Sequence, residues 1–166
     1  AGYYSDSSGY NKWFVAKYTP ALTFVSSAVF NGMGQASNDA AAAITADPYG
    51  NVFLSGYTNN GMSNDILTVK YDNALNYRAL AFFNGGTAET ANGIAADAQG
   101  NVYVAGYADA ATQQANYYNM AAGGSAIGLK YDNDLVLRSS AAYSQGYNYG
   151  KAVALDAEGA AYIMGS

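Results

Sequence analysis

Neither cysteine nor histidine occurs anywhere in the 166 residues. Without cysteine there is no disulfide, no thiolate nucleophile, no cysteine-ligated cluster and no c-type haem attachment. Without histidine the commonest general base and the commonest transition-metal ligand are missing together. Charge is sparse: 7 Lys and Arg stand against 12 Asp and Glu, for a net of −5. Phosphate binding requires clustered cations, so seven scattered ones argue against a nucleic-acid partner. No apolar run approaches the roughly eighteen residues needed to cross a bilayer, and no membrane span is expected. An Asn-x-Ser/Thr sequon is absent as well, so simple N-glycosylation is not expected.

What remains is apolar, aromatic and rich in turn formers. Hydrophobic residues make up 51% of the chain, which excludes a disordered polymer. Seventeen tyrosines and six phenylalanines against two prolines favour strands, and 19 glycines demand many turns. The length fits one domain with a real core. The class is all-β.

One segment is written three times: Gly93 to Tyr107, Ala43 to Tyr57 and Ala152 to Ser166. Each copy has a strand of small and β-branched residues, an Asp-x-x-Gly turn and an alternating strand that stops at Gly, which is a β-hairpin. A second segment alternates with it. Trp13 to Tyr18, Ile66 to Asp72 and Ala126 to Asp132 are strands built around Lys-Tyr, each followed by a turn and a leucine (Leu22, Leu75, Leu135). A last strand then runs over Phe24 to Phe30, Tyr77 to Phe83 and Leu137 to Tyr143, ending near Asn31-Gly32, Asn84-Gly85-Gly86 and Gln145-Gly146. Each unit thus supplies four strands.

The lysines at 17, 70 and 130 and the aspartates at 47, 97 and 156 recur about once per four strands. A period of roughly 40 to 60 residues with four strands per unit is the signature of propeller blades. The third interval carries an insertion at Ala108 to Gly124. The run Ala40 to Ala46 has the smallest side chains and is expected innermost, with the Lys-Tyr strand and the aromatic strand following outward. The chain then reads as a partial blade at 1–31, blades at 40–86 and 91–146, and a partial blade at 151–166. It starts with an outer pair of strands and ends with an inner pair, complementary halves of one blade.

The pattern Phe-Val-Ala-Lys-Tyr, Asn-Gly, Asn-Asp, then Ala-Ile-Thr-Ala-Asp-x-x-Gly-Asn-Val-Phe-Leu-Ser-Gly-Tyr resembles the bacterial β-propeller repeat family of secreted proteins, the SBBP type. The resemblance covers almost the whole chain, most closely residues 64 to 107, and leaves out 108 to 124. It implies a propeller fold and an extracytoplasmic setting, and it brings no catalytic residues to carry over. The start Ala-Gly-Tyr-Tyr, without Met, suits a mature chain after signal-peptide removal, or a fragment. A secreted, extracellular location at a bacterial or archaeal cell surface is the expectation.

Propellers close with roughly four to eight blades, so about three units leave open edges. Three readings stay open: a six-bladed dimer, a head-to-tail homo-oligomer that propagates as a fibre, or a piece of a longer propeller. The strands expected at an intersubunit contact are marked by Trp13, Val15, Val153 and Ile163.

No catalytic, cofactor-binding or metal-binding residue is assigned. Asp47, Asp97 and Asp156 sit in turns where a carboxylate accepts backbone N–H bonds and Gly takes the positive φ; a calcium reading lacks the Asp-x-Asp-x-Asp spacing. Lys17, Lys70 and Lys130 are expected to lay their stems along the sheet and pair with a carboxylate or snorkel to an edge. Glu89 and Glu158 lie in different units, so no glycosidase pair is formed, and Ser catalysis lacks both a His base and a Gly-x-Ser-x-Gly elbow. Tyr117, Tyr118, Tyr147 and Tyr149, among Asn, Gln and Gly, are the candidate surface contacts. The expected function is non-enzymatic: a secreted structural or assembly protein, with a carbohydrate- or surface-protein-binding adhesion module as the alternative.

Overall fold

Short turns held by one carboxylate set the frame of the molecule. In the first, Asp47 Oδ1 accepts the backbone N–H groups of Tyr49 and Asn51 at 2.9 and 2.8 Å, and Gly50 takes φ 85°. Asp97 and Asp156 do the same, with Gly100 and Gly159 at φ 81° and 86°. Such a turn reverses the chain within five residues, so the flanking alternating segments pair as antiparallel strands.

The computed structural model describes residues 1–32, 38–59, 62–109 and 124–166. Within them thirteen strands form four antiparallel sheets. The first holds β1 (Gly2–Ser5), β2 (Asn11–Tyr18) and β3 (Phe24–Phe30); the second holds β4 (Ala40–Ala46), β5 (Val52–Asn59), β6 (Asn64–Tyr71) and β7 (Tyr77–Phe83). The third is β8 (Glu89–Ala96), β9 (Val102–Ala108), β10 (Ser125–Tyr131) and β11 (Leu137–Tyr143), and the fourth is β12 (Gly150–Leu155) with β13 (Ala161–Gly165). Within each sheet, neighbours in sequence are neighbours in space, as in propeller blades.

The first sheet differs from the expected outer pair, since β1 adds a third strand to it. Its signal is Ala1-Gly2-Tyr3, which repeats Ser55-Gly56-Tyr57 and Ala105-Gly106-Tyr107 at the end of the second strand of the other units. Tyr3 pairs with Trp13 as Tyr57 pairs with Ile66 and Tyr107 with Ala126. Only the last half of that strand precedes the turn, too little for alternation to be read.

The first strands converge: β4 packs on β8 and β8 on β12. Small side chains allow this, and at the tightest point there is none. A Cβ on Gly93 would stand 2.7 Å from the Cα of Ala152 on β12. Between the sheets lie two apolar cores. Trp13 and Val15 of the first sheet meet Leu54, Leu67, Val69, Tyr71 and Leu75 of the second. Phe53, Ile66, Ala81 and Phe83 of the second meet Val104, Ile127, Leu129, Tyr131 and Leu135 of the third. Every blade therefore has a forward face and a backward face, read from alternate residues of the same strands.

Candidate functional site

The recurring lysines tie each sheet to the next. Lys17 Nζ donates to the backbone O and side-chain Oδ1 of Asn73, both at 2.7 Å, and Lys70 Nζ donates to the same two atoms of Asn133 at 2.7 and 2.6 Å. The partners are amide oxygens of the neighbouring sheet's turn, where a carboxylate or a solvent edge is expected from the sequence, because the turn's own carboxylate is already occupied. Asp72 Oδ1 accepts the backbone N–H groups of Ala74 and Asn76, both at 2.9 Å, and its Oδ2 takes Arg78 at 2.6 Å. Asn133 also donates to Asp47 Oδ2 at 2.8 Å and to the Gly100 carbonyl at 3.1 Å, so it joins three turns of two blades. Burial alone would raise the Asp47 pKa, yet the bonds from Asn51, Asn133 and Tyr49 outweigh it and hold the carboxyl below its usual value. In the third blade, Lys130 lies with its ammonium 5.0 Å from the Tyr103 ring centroid. A hydrogen bond with that tyrosine is the main cause raising its pKa.

The outer turns match the inner ones, with leucine in place of glycine. Leu22, Leu75 and Leu135 all take the left-handed conformation, at φ 57°, 63° and 62°. That region is unfavourable to a side chain by about 1–2 kcal/mol. For two of them the reason is visible: Leu75 and Leu135 are only 8% and 5% exposed and fill the cores behind their blades, where burial of a leucine returns about 1.5–3 kcal/mol. Leu22 is 81% exposed. It carries the same strain with nothing covering it.

Leu22 is one point of a larger uncovered face. In the second and third sheets the backward-facing residues of the lysine strand, Leu67, Val69 and Tyr71 and then Ile127, Leu129 and Tyr131, are all buried. Their counterparts in the first sheet are Phe14, Ala16 and Tyr18; the first two are half-buried and Tyr18 is exposed, with Val25 and Val29 of β3 exposed beside it. The first turn has also lost its polar dressing. Thr19 and Val25 stand where the other units have the ion pairs Asp72–Arg78 and Asp132–Arg138. A contiguous exposed apolar face of this kind marks an interaction surface.

A matching vacancy lies at the other end of the chain. Among the described residues, the hairpin β12–β13 covers the inner half of the third sheet's forward face, and beside β13 two adjoining hollows of about 390 and 380 Å³ open over β10 and β11. Their floor is small: Ala126 and Gly128 stand where the first two sheets have Trp13 and Val15, or Ile66 and Thr68. At the edge of the floor Ile163 sits so close over Gly128 that a Cβ there would meet its Cδ1 at 2.6 Å.

The expected contact residues divide accordingly. Ile163 and Val153 line the hollows. Trp13 and Val15 are buried in the core between the first two sheets, and the strand edge at Trp13 is taken by β1, so their side chains do not face outward. Tyr147 is 74% exposed in an irregular segment, whereas Tyr149 stacks on Tyr107 with centroids 4.2 Å apart and belongs partly to the packing. Tyr117 and Tyr118 lie outside the described residues. Sequence reasoning passed over Leu22, Phe14 and Gly128 as site residues; all three outer turns carry leucine at the left-handed position, so residue order does not single out Leu22.

Among the described residues no three His, Cys, Asp or Glu side chains come together as a metal set. Glu89 is fully buried; Oε1 accepts the backbone N–H of Thr87 at 3.0 Å and its hydroxyl at 2.6 Å. Burial, helped by the neighbouring Asp65 charge, pushes its pKa up against those bonds. It lies away from the hollows, inside the contact between the second and third sheets.

Residues 83–111, which run through β8 and β9, match the family model of the SBBP β-propeller repeat. No curated protein matches the chain.

Proposed function

We propose that this chain, which carries a repeat of the SBBP β-propeller family, is a non-enzymatic, extracellular propeller module that associates head to tail with copies of itself. The observation that carries the reading is the uncovered backward face of the first sheet, with its strained and exposed Leu22, set against the unfilled hollows beside β13. In the two internal junctions a backward face of this kind is always covered by the forward face of the preceding blade. The third sheet's forward face, floored by Ala126 and Gly128, is the surface of the same type that remains to be covered. A second copy, offering β2 and β3, has the shape and apolar character to cover it. Whether the rotation closes as a six-bladed dimer or runs on as a filament is a geometric outcome of the same contact.

The extracellular assignment rests on the repeat family and on a composition low in Lys and without Cys. Sedimentation velocity over a wide concentration range, with negative-stain imaging, tests the association. Discrete rings or filaments are expected, and a chain that stays monomeric at high concentration refutes it. An adhesion role for carbohydrate or a surface protein is favoured by the exposed Tyr147 ring, which gives contact area with a polar handle; it predicts glycan or surface-protein binding that Tyr147→Ala abolishes.

A further inference from the structure

β7 is the outermost strand of the second sheet; among the described residues it pairs with β6 and presents its other edge to solvent. Both faces of that sheet are covered, one by the first sheet and one by the third. What stays exposed on β7 therefore belongs to the rim itself. Phe82 is 42% exposed and Leu80 is half-buried, although their partners on β6, Leu67 and Val69, are fully buried. A rim strand of this kind offers a row of unpaired N–H and C=O groups, and proteins blunt such rows with Lys, Pro, inward charges or bulges.

β7 is blunted at one end only. Tyr71 pairs with Tyr77 and Lys70 with Ala79, which leaves Arg78 as the extra residue of a bulge. Asp72 holds its guanidinium there at 2.6 Å. Beyond the bulge, Ala79-Leu80-Ala81-Phe82-Phe83 pairs one for one with Lys70 to Ile66 and carries no charge, proline or glycine. β3 and β11 have the same bulge, at Val25 and Arg138. Where β7 has Leu80 and Phe82, however, β3 has Ser27 and Val29, and β11 has Ser140 and Ala142. The rim of the second sheet is the most apolar of the three.

The five residues are complementary to themselves. Run antiparallel to a copy of itself about Ala81, the segment sets Phe82 against Leu80 and Phe83 against Ala79 on both sides of the axis, so each ring meets a smaller side chain. Centring on Leu80 would set Phe82 against Arg78 at the bulge, and centring on Phe82 would stack that ring on itself and push Leu80 against Asn84. A two-fold contact demands such self-complementarity, since one patch must serve both partners. We infer that β7 is the docking edge for a second copy of this chain: the two rims pair antiparallel with Ala81 opposite Ala81, and two four-stranded sheets become one of eight strands. The pairing gives the open edge groups their hydrogen-bond partners and covers Phe82 with Leu80 of the other copy. Its residues lie apart from the first-sheet face and the third-sheet hollows of the head-to-tail contact, so it is a second, sideways mode of association, suited to tying rings or filaments together.

The absence of cysteine makes this register directly measurable. Directly opposed residues on antiparallel strands have Cα atoms about 4.5–5.5 Å apart, within disulfide reach, and diagonal ones about 7–8 Å, beyond it. Leu80→Cys and Phe82→Cys are made as separate proteins and oxidised mildly, alone and mixed. The mixture is expected to accumulate a covalent dimer on non-reducing gels, while each variant alone keeps its monomer band. Because Leu80→Cys trims a half-buried side chain, Phe82→Lys is measured as well. It is expected to lower the sedimentation coefficient at high concentration without moving the urea midpoint of the monomer. Cross-linking of either cysteine variant alone in place of the mixture would overturn the register. No cross-link in any sample, with sedimentation unmoved by Phe82→Lys, would overturn the rim contact whether or not head-to-tail association occurs. A cross-linked dimer that never grows further would uphold the rim contact and count against the head-to-tail one.

Discussion

Leu75→Gly and Leu22→Gly change the same atoms in the same backbone conformation, and the structure assigns them different costs. Two effects are common to both sites. Glycine relieves the left-handed strain of about 1 kcal/mol, and it returns about the same amount of entropy to the unfolded chain. These nearly cancel, leaving the buried side chain to decide. Leu75 sits in the core between the first and second sheets, so its removal is expected to cost about 3 kcal/mol, in the range for buried leucine truncations. With a urea dependence of about 2 kcal/mol/M for a domain of this size, the midpoint falls by about 1.5 M. Leu22 has no such burial, and in dilute monomer its replacement is expected to move the midpoint hardly at all. The order reverses in association. Burial of Leu22 at the junction is worth about 2 kcal/mol, so Leu22→Gly weakens self-association about thirtyfold and Leu75→Gly, in folded protein, much less. Urea titration at low concentration and sedimentation at high concentration read the two effects separately. Equal losses of monomer stability at the two sites would refute the argument that a covering neighbour is what justifies leucine in these turns.

Lys70→Met removes two charge-assisted bonds to Asn133 and leaves their acceptors unpaired in the contact between sheets; a loss of about 3 kcal/mol is expected in thermal or urea unfolding, against about 1 kcal/mol for Lys17→Met, whose bonds lie at the surface. Gly93→Ala sets a Cβ against the β12 backbone at 2.7 Å, so hydrogen exchange is expected to lose protection across Gly150–Leu155 and Ala161–Gly165 before the rest of the chain. Glu89→Gln isolates one arm of the pH response. The raised folded pKa of Glu89 means that its contribution is fully present below the unfolded value of about 4.3 and is lost as pH climbs through the folded value. Asp47 and Asp97, with lowered pKa values, act in the opposite sense, contributing above about pH 4 and losing that contribution as the solution becomes more acid. The glutamine variant is therefore expected to gain on the parent only above pH 4 to 5, and a difference independent of pH would count against a buried, destabilised carboxylate.

Much of the fold could be read from residue order, because the information is local and written more than once. Asp-x-x-Gly specifies a turn by hydrogen bonds within five residues, and alternation on either side specifies which face is buried. The strand β1 escaped because four residues of Gly-Tyr-Tyr-Ser carry no alternation, and pairing decides their state. Trp13 and Val15 mark a strand expected at an intersubunit contact; their side chains are buried between the first two sheets, and the sequence does not say which face of a blade has a neighbour. The lysines are expected from the sequence to pair with a carboxylate or to snorkel to an edge; their amide partners are set by a turn more than fifty residues away, where local chemistry has already filled the carboxylate. Leu22 was the most instructive residue: only its backbone angle and its exposure together reveal that the face around it is uncovered.

The Lys–Asn bridges and the alternating faces have one more consequence, for how the proposed assembly melts. Among the described residues the main contacts of each sheet are with the one before and the one after it, so the molecule resembles a short linear lattice whose stability is a sum of unit and nearest-neighbour contributions. In such a lattice the end units hold on by a single contact and fray first. Joining copies converts ends into interior units without adding any new kind of contact, and the whole array gains cooperativity as it lengthens. The melting temperature then becomes a function of protein concentration, and the oligomer protects the first sheet and the last hairpin far more than the two sheets between them.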